Sequence, residues 1–298
     1  MNVYIFEDQR TLNLEPITLT RPAFEIRCGA FTCIERISIH LPDSNMYLIV
    51  RPELEALTQE TYPGNIVNPA IVEEGLWLLG NVLWNNDLID QIVNTKDAEF
   101  YQESTFVGAY LTEVEGRKWM KNEGPSVQDY KSTKEEKNLD CKPIHFLWEA
   151  VQETGKQLES DVRFFSDYST PKTDATLING NQILAHSSVL IAQDSVIDAS
   201  NGPVVLDKNT VIKPMTHLEG PLYLGEGNIV ESMTKLKASS IGPVCRLGGE
   251  INNVIIQGWS NKVHDGHLGD AYLGQWVNLG AGTTNSNLKN NYSVVDVM

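Results

Sequence analysis

The sequence predicts two architectures in one chain: an α/β N-terminal domain and, from about Thr176, a left-handed parallel β-helix of hexapeptide repeats. Three observations carry this prediction. Short apolar runs alternate with helical patterns in the first third of the chain. Further on, aliphatic residues recur at every sixth position. Glycine follows many of those aliphatics.

The opening segment, residues 3–6, reads as a buried strand. Apolar spacing at Phe31, Ile34, Ile37 and Leu41 predicts a helix over residues 28–41. Residues 47–50 (YLIV) and 76–82 (LWLLGNV) read as two further strands, so strands and helices alternate as in an α/β sheet. Residues 113–143 turn polar and read as a linker or a helix with a loose connection, and residues 146–158 as an amphipathic helix. The expected division is residues 1–115 as the α/β domain, 116–175 as linker and connecting helix, and 176–298 as the β-helix.

The six-residue period then takes over. Leu206, Ile212, Leu218, Leu224, Val230 and Leu236 keep it strictly. Leu184, Leu190 and Val196 keep it upstream, and residues 241–247 and 273–279 resume it. A helix has period 3.6 and a strand period 2, so neither explains this spacing. A three-faced prism does, with one aliphatic residue pointing inward from each face and stacked turns burying one core. Glycine after Leu224, Ile241, Leu247, Leu268, Leu273 and Leu279 suits the corners. The pattern is still running at Met298, which leads to the expectation of a fragment lacking later turns.

The formal net charge of −16 argues against a nucleic-acid-binding surface, which needs clustered Lys and Arg. No apolar run is long enough to span a membrane, and the N-terminus lacks a signal-peptide pattern. The four scattered cysteines, Cys28, Cys33, Cys141 and Cys245, read as reduced structural thiols, with a cytoplasmic setting expected.

Several phrases then point to one family. Near the N-terminus stand Thr20-Arg21-Pro22 and Ile26-Arg27-Cys28-Gly29. Near the C-terminus stand residues 242–250, 260–269 (SNKVHDGHLG) and 278–292 (NLGAGTTNSNLKNNY). Together they resemble a divergent bacterial branch of the bifunctional UDP-N-acetylglucosamine pyrophosphorylase/glucosamine-1-phosphate N-acetyltransferase family. The resemblance implies a nucleotidyltransferase-like first domain and an acetyltransferase-like β-helix. It implies acetyl transfer from acetyl-CoA to glucosamine-1-phosphate, then uridylyl transfer from UTP with Mg²⁺, in a homotrimer.

The resemblance makes His264 the general base, a role that suits an imidazole because an ammonium must lose a proton before attacking a thioester. It points to the Ala281 backbone amide for the oxyanion, and to Asn278 and Asn287 near the sugar and acetyl groups. The chain departs from the pattern at His267, where tyrosine is usual, and at Asn252, where a substrate-binding lysine is usual. Arg246 and Lys262 are alternatives for the sugar phosphate. The first strand is followed by Glu7-Asp8-Gln9-Arg10, with no glycine-rich loop. Arg10, Arg21 and Arg27 are expected to hold nucleotide phosphates instead; salt bridges to Glu7, Asp8 and Glu25 are the competing reading. The metal ligand is left open between Asn81, Asp8 and Asp87. A single-activity or non-catalytic relative, with the first domain as a regulatory or trimer-organising scaffold, is the alternative function.

Overall fold

The computed structural model describes residues 1–120, 134–285 and 293. The chain forms two compact units, residues 1–26 with 31–147, and residues 27–30 with 148–298.

The first unit is built on a 7-stranded sheet. Its elements are β1 (Asn2–Phe6), α1 (Cys33–His40), β2 (Asn45–Ile49), α2 (Glu55–Thr61), β3 (Ile66–Val67), β4 (Gly75–Leu79), α3 (Asn86–Val93), β5 (Ala98–Gln102), β6 (Thr105–Leu111), α4 (Glu113–Met120) and β7 (Glu135–Asn138). The strand order is β3-β2-β1-β4-β6-β5-β7. The pairs among β1 to β4 are parallel, and β6 runs antiparallel to β4 and β5. β1 is central, so Val3 to Phe6 are buried without alternation, as parallel strands covered on both faces require. Tyr4 stacks on both Tyr47 and Trp77, with ring centroids 4.7 and 4.6 Å apart.

Helix α1 begins later than the apolar spacing suggests. Thr32 accepts from the Glu35 N–H while the Glu35 side chain accepts from the Thr32 N–H, a capping box that sets the start at Cys33. The polar segment read as a linker or a loosely connected helix contributes helix α4 and also the parallel edge strand β7. Its Glu-Glu-Lys-Asn sequence carries no apolar alternation, and edge strands tolerate such charge.

In the second unit α5 (Leu147–Asp161) precedes a left-handed parallel β-helix. Three inward columns run along the prism. Ile197, Leu218, Leu236, Ile251 and Leu268 form one. Leu206, Leu224, Ile241 and Ile256 form the second, and Ile212, Val230 and Leu247 lie on the third. These side chains make one continuous buried cluster. Glycine is required where turns touch: a Cβ on Gly242 would strike the Gln257 carbonyl oxygen, and one on Gly248 that of Val263.

Upstream of residue 200 the inward phase differs from the sixfold reading. Leu190 is 64 % exposed, while Ile183 and Ile197 are buried. Val204 to Leu206 pair with Ile183 to Ala185, and Ile212 pairs with Ile191. The inward residues here are Ala185, Ile191 and Ile197, so the upstream series Leu184, Leu190 and Val196 lies one residue out of phase, and the turn that joins it to Leu206 is longer than the next.

All four cysteines are buried and free of disulfides, and burial pushes the Cys245 thiol up to about 11. Among the described residues no helix is long and apolar enough to cross a membrane.

Candidate functional site

The third column of the β-helix gathers most of the sequence-predicted site. Arg246 pairs with Asn261, and Asn261 bridges to Asn278 in the following turn. Side chains at paired positions share a face, so these three form an outward ladder opposite the inward Leu247. Parallel strands stack about 4.8 Å apart. The Asn261 Nδ2 donates to the Asn278 Oδ1 at 2.7 Å. Arg246 and Asn278 are exposed. The turn after Asn261 and Lys262 carries His264, whose residue is also exposed. The Gly282 N–H donates to the Asp265 carbonyl at 3.1 Å, which sets Ala281 one turn along from the His264–Asp265 corner. Backbone register therefore brings His264, Ala281, Asn278 and Arg246 to one region of the prism.

His267 lies on the next face. Its Nδ1 stands 3.7 Å from the Glu250 Oε1, and its N–H donates to the Thr284 Oγ1. Asn252 pairs in register with Lys237 of the preceding turn. Asn287 lies outside the described residues.

Lys262 does not belong to the outward ladder. It occupies an inward position, only 3 % exposed, and its Nζ donates to the Gly248 and His264 carbonyls at 2.8 Å each. The expectation that its ammonium meets a sugar phosphate is corrected on that ground. Arg27 is likewise corrected. It is 4 % exposed within the second unit, its Nη1 donates to the Ala30 carbonyl at 2.5 Å, and its guanidinium carbon lies 6.0 Å from the Tyr223 ring centroid. Its backbone N–H donates to the Tyr272 hydroxyl at 2.8 Å, which ties Arg27 to the β-helix within the second unit.

The carboxyl ends of β1 and β4 form the corresponding place in the first unit, where open α/β sheets put their ligands. Glu7 follows β1 directly. Its carboxylate accepts from the Ala23 N–H at 2.7 Å and the Arg51 N–H at 3.2 Å, and the Arg51 Nε lies 3.5 Å away. The Arg51 Nη2 also donates to the Thr18 carbonyl at 2.6 Å. A salt bridge at Glu7 was the competing reading for the N-terminal arginines, but its partner is Arg51, which the sequence did not suggest. Arg21 is held by Glu25 at 2.6 Å, a carboxylate of its own unit, which corrects the expectation of a phosphate-directed guanidinium. Arg10 stands 3.7 Å from Asp8 and donates to the Ser104 carbonyl at 3.3 Å.

The metal candidates divide. The Asn81 Nδ2 donates to the Ile144 carbonyl at 2.8 Å, and the Ile144 N–H returns the bond to the Asn81 carbonyl at 2.8 Å, so Asn81 serves as a buried clamp. Asp87 is exposed on the first turn of α3. Asp8 caps the turn after β1 by accepting from the Arg10 N–H at 2.9 Å. Among the described residues no group of three or more His, Cys, Asp or Glu converges to hold a metal ion. One carboxylate already paired with arginine does not by itself fit a Mg²⁺ site.

These carboxylates give the first unit a pH signature. Burial raises the pKa of Glu7 against the pull of Arg51, that of Glu25 against Arg21, and that of Asp8 against Arg10. An acid whose folded pKa is raised favours the fold when protonated. That contribution is full below the ordinary carboxylate range and is lost as pH rises through the raised values. Glu115, whose pKa is lowered, opposes the trend. The expected outcome is a higher urea midpoint for the first unit at the ordinary carboxylate pKa, about pH 4.5, than at about pH 8. Fluorescence of the buried Trp77 and Trp84 reports it, and a midpoint that climbs with pH contradicts it.

Comparison with known proteins shows the family. The family described as "Sugar nucleotidyl transferase" matches residues 3–170. A protein named "Bifunctional protein GlmU" from Trichormus variabilis (strain ATCC 29413 / PCC 7937) is 24% identical over 255 residues, 70% of this chain and 54% of that protein. Its namesake from Rippkaea orientalis (strain PCC 8801 / RF-1) is 30% identical over 140 residues, 35% of this chain and 30% of that protein. Another from Trichodesmium erythraeum (strain IMS101) is 36% identical over 113 residues, 37% of this chain and 19% of that protein. The chain thus spans about half or less of the length of these relatives. With more than half of its residues matched, the chain belongs to the sugar nucleotidyl transferase family, as a divergent member similar to the bifunctional GlmU proteins.

Proposed function

We propose that the chain makes a nucleotide-activated amino sugar by two transfers, one in each unit. The observation that supports the first transfer is the register placing exposed His264 beside the Ala281 turn and the Arg246–Asn261–Asn278 ladder. On this reading Arg246 and Asn278 hold glucosamine-1-phosphate. The His264 imidazole takes a proton from the sugar ammonium, and the freed amine attacks the thioester carbon of acetyl-CoA. The Ala281 N–H stabilises the oxyanion of the tetrahedral intermediate. Collapse breaks the C–S bond, the nitrogen gives up its second proton, and the CoA thiolate leaves and is protonated. The products are N-acetylglucosamine-1-phosphate and CoA.

The second transfer rests on family membership and on the carboxyl ends of β1 and β4, where α/β sheets put their ligands. A phosphate oxygen of N-acetylglucosamine-1-phosphate attacks the α-phosphorus of UTP, and pyrophosphate leaves. Among the residues near these strand ends, Arg10 is the guanidinium best placed to meet a phosphate, since its partners Asp8 and Ser104 leave its side chain 31 % exposed.

A second reading is favoured by Glu7, which already fills the place beside β1 with a carboxylate. In it only the β-helix is catalytic and the first unit is a scaffold. Calorimetric titration of UTP with Mg²⁺ separates the two: binding supports the first reading, and none supports the second. Release of free CoA thiol in the presence of a panel of amino sugar-1-phosphates tests the acetyl transfer.

The proposed assembly is a homotrimer, the closed symmetric assembly that the resemblance to hexapeptide-repeat acyltransferases implies. Light scattering at micromolar concentration is expected to give three times the chain mass, and the mass of a single chain contradicts it.

A further inference from the structure

The third column of the β-helix breaks its own rule at one position. Ile212, Val230 and Leu247 stack inward by parallel pairing, and the next residue in register is Lys262. Leu279 packs against the same core. An aliphatic residue would fill the slot without desolvating a charge. Instead the lysine chain runs through the slot to two backbone carbonyls, those of Gly248 and His264, each 2.8 Å from its Nζ. The Gly248 N–H in turn donates to the Lys262 carbonyl at 2.7 Å, so the two turns are locked together at this corner. Burial lowers the Lys262 pKa, with Asp265 opposing, as expected of an ammonium enclosed in a prism.

We infer that Lys262 is a positioning residue for His264. The ammonium draws the His264 carbonyl toward the prism interior. This fixes the peptide plane between residues 264 and 265, and with it the direction in which the imidazole leaves the backbone. The inference rests on the acetyl-transfer reading for its effect on activity, and on geometry alone for its effect on His264.

The test uses the full chain with Lys262→Met, whose apolar side chain suits the column, and Lys262→Gln, which keeps a donor without the charge. For Lys262→Met the expected result is a fall of about tenfold to a hundredfold in kcat, the scale of a misplaced catalytic group. The KM for the amino sugar phosphate should stay within about threefold, as expected for an effect on the transition state. The His264 ring and Asp265 backbone-amide resonances should also be displaced at fixed pH, the signature of a re-aimed turn. Lys262→Gln should show smaller displacements with a smaller loss of kcat, and it carries the test if the methionine variant does not fold. A kcat within twofold of wild type together with unmoved His264 and Asp265 resonances overturns the inference. If wild type transfers no acetyl group, the functional reading fails separately. The resonances alone then decide the positioning role: displacement supports it and no change overturns it.

Discussion

Replacing His264 by alanine is expected to lower acetyl transfer by about two to four orders of magnitude, the usual loss on removing a general base. The residue is exposed on a turn, and its backbone carbonyl, not its side chain, makes the contact with Lys262. The carbonyl survives the substitution, so the melting temperature should change little. Steady-state thiol release and a melting curve on the same preparation check both halves. Near-wild-type turnover would remove His264 from the mechanism and pass the role to His267, which is half-exposed beside Glu250.

Replacing Glu7 by alanine is expected to cost the first unit about 3 kcal/mol, at the low end of the range for breaking a buried ion pair. The loss strands the Ala23 and Arg51 backbone N–H groups and takes the carboxylate partner from the Arg51 guanidinium. The cost stays at the low end because Arg51 keeps its bond to the Thr18 carbonyl. Glu7→Gln should cost markedly less. It retains an acceptor for the Ala23 N–H, and burial already disfavours the ionised carboxyl. Urea unfolding of both variants, followed by tryptophan fluorescence, measures the difference. Equal stability of wild type and Glu7→Ala would show that the strand end is held without this anion.

Much of the β-helix was legible because its code is local. Each of Leu206, Ile212, Leu218, Leu224, Val230 and Leu236 reports its own face, and all six are buried. What the spacing does not carry is phase across a turn of different length. Leu190 is as aliphatic as Ile191, and only the pairing of Ile191 with Ile212 shows which side faces inward. Lys262 escaped for a related reason. A charged residue reads as surface, although its distance from Leu247 matches the shorter turn that pairs them. In the first unit, Arg21 and Glu25 are four residues apart, so the ion pair was visible as an alternative to phosphate binding. Glu7 and Arg51 lie on different strand ends, and their pairing appears only once β1 and β2 are aligned. The His264 turn could be placed from its motif. Its proximity to Ala281, however, depends on the register that bridges Asn261 to Asn278.

The most direct test of the two-transfer account is a single incubation. The chain is mixed with acetyl-CoA, glucosamine-1-phosphate, UTP and Mg²⁺, and the products are identified by mass spectrometry. The account predicts UDP-N-acetylglucosamine, with one CoA and one pyrophosphate released for each molecule formed. The absence of both N-acetylglucosamine-1-phosphate and its nucleotide-linked product, under conditions where the chain is folded, would contradict it.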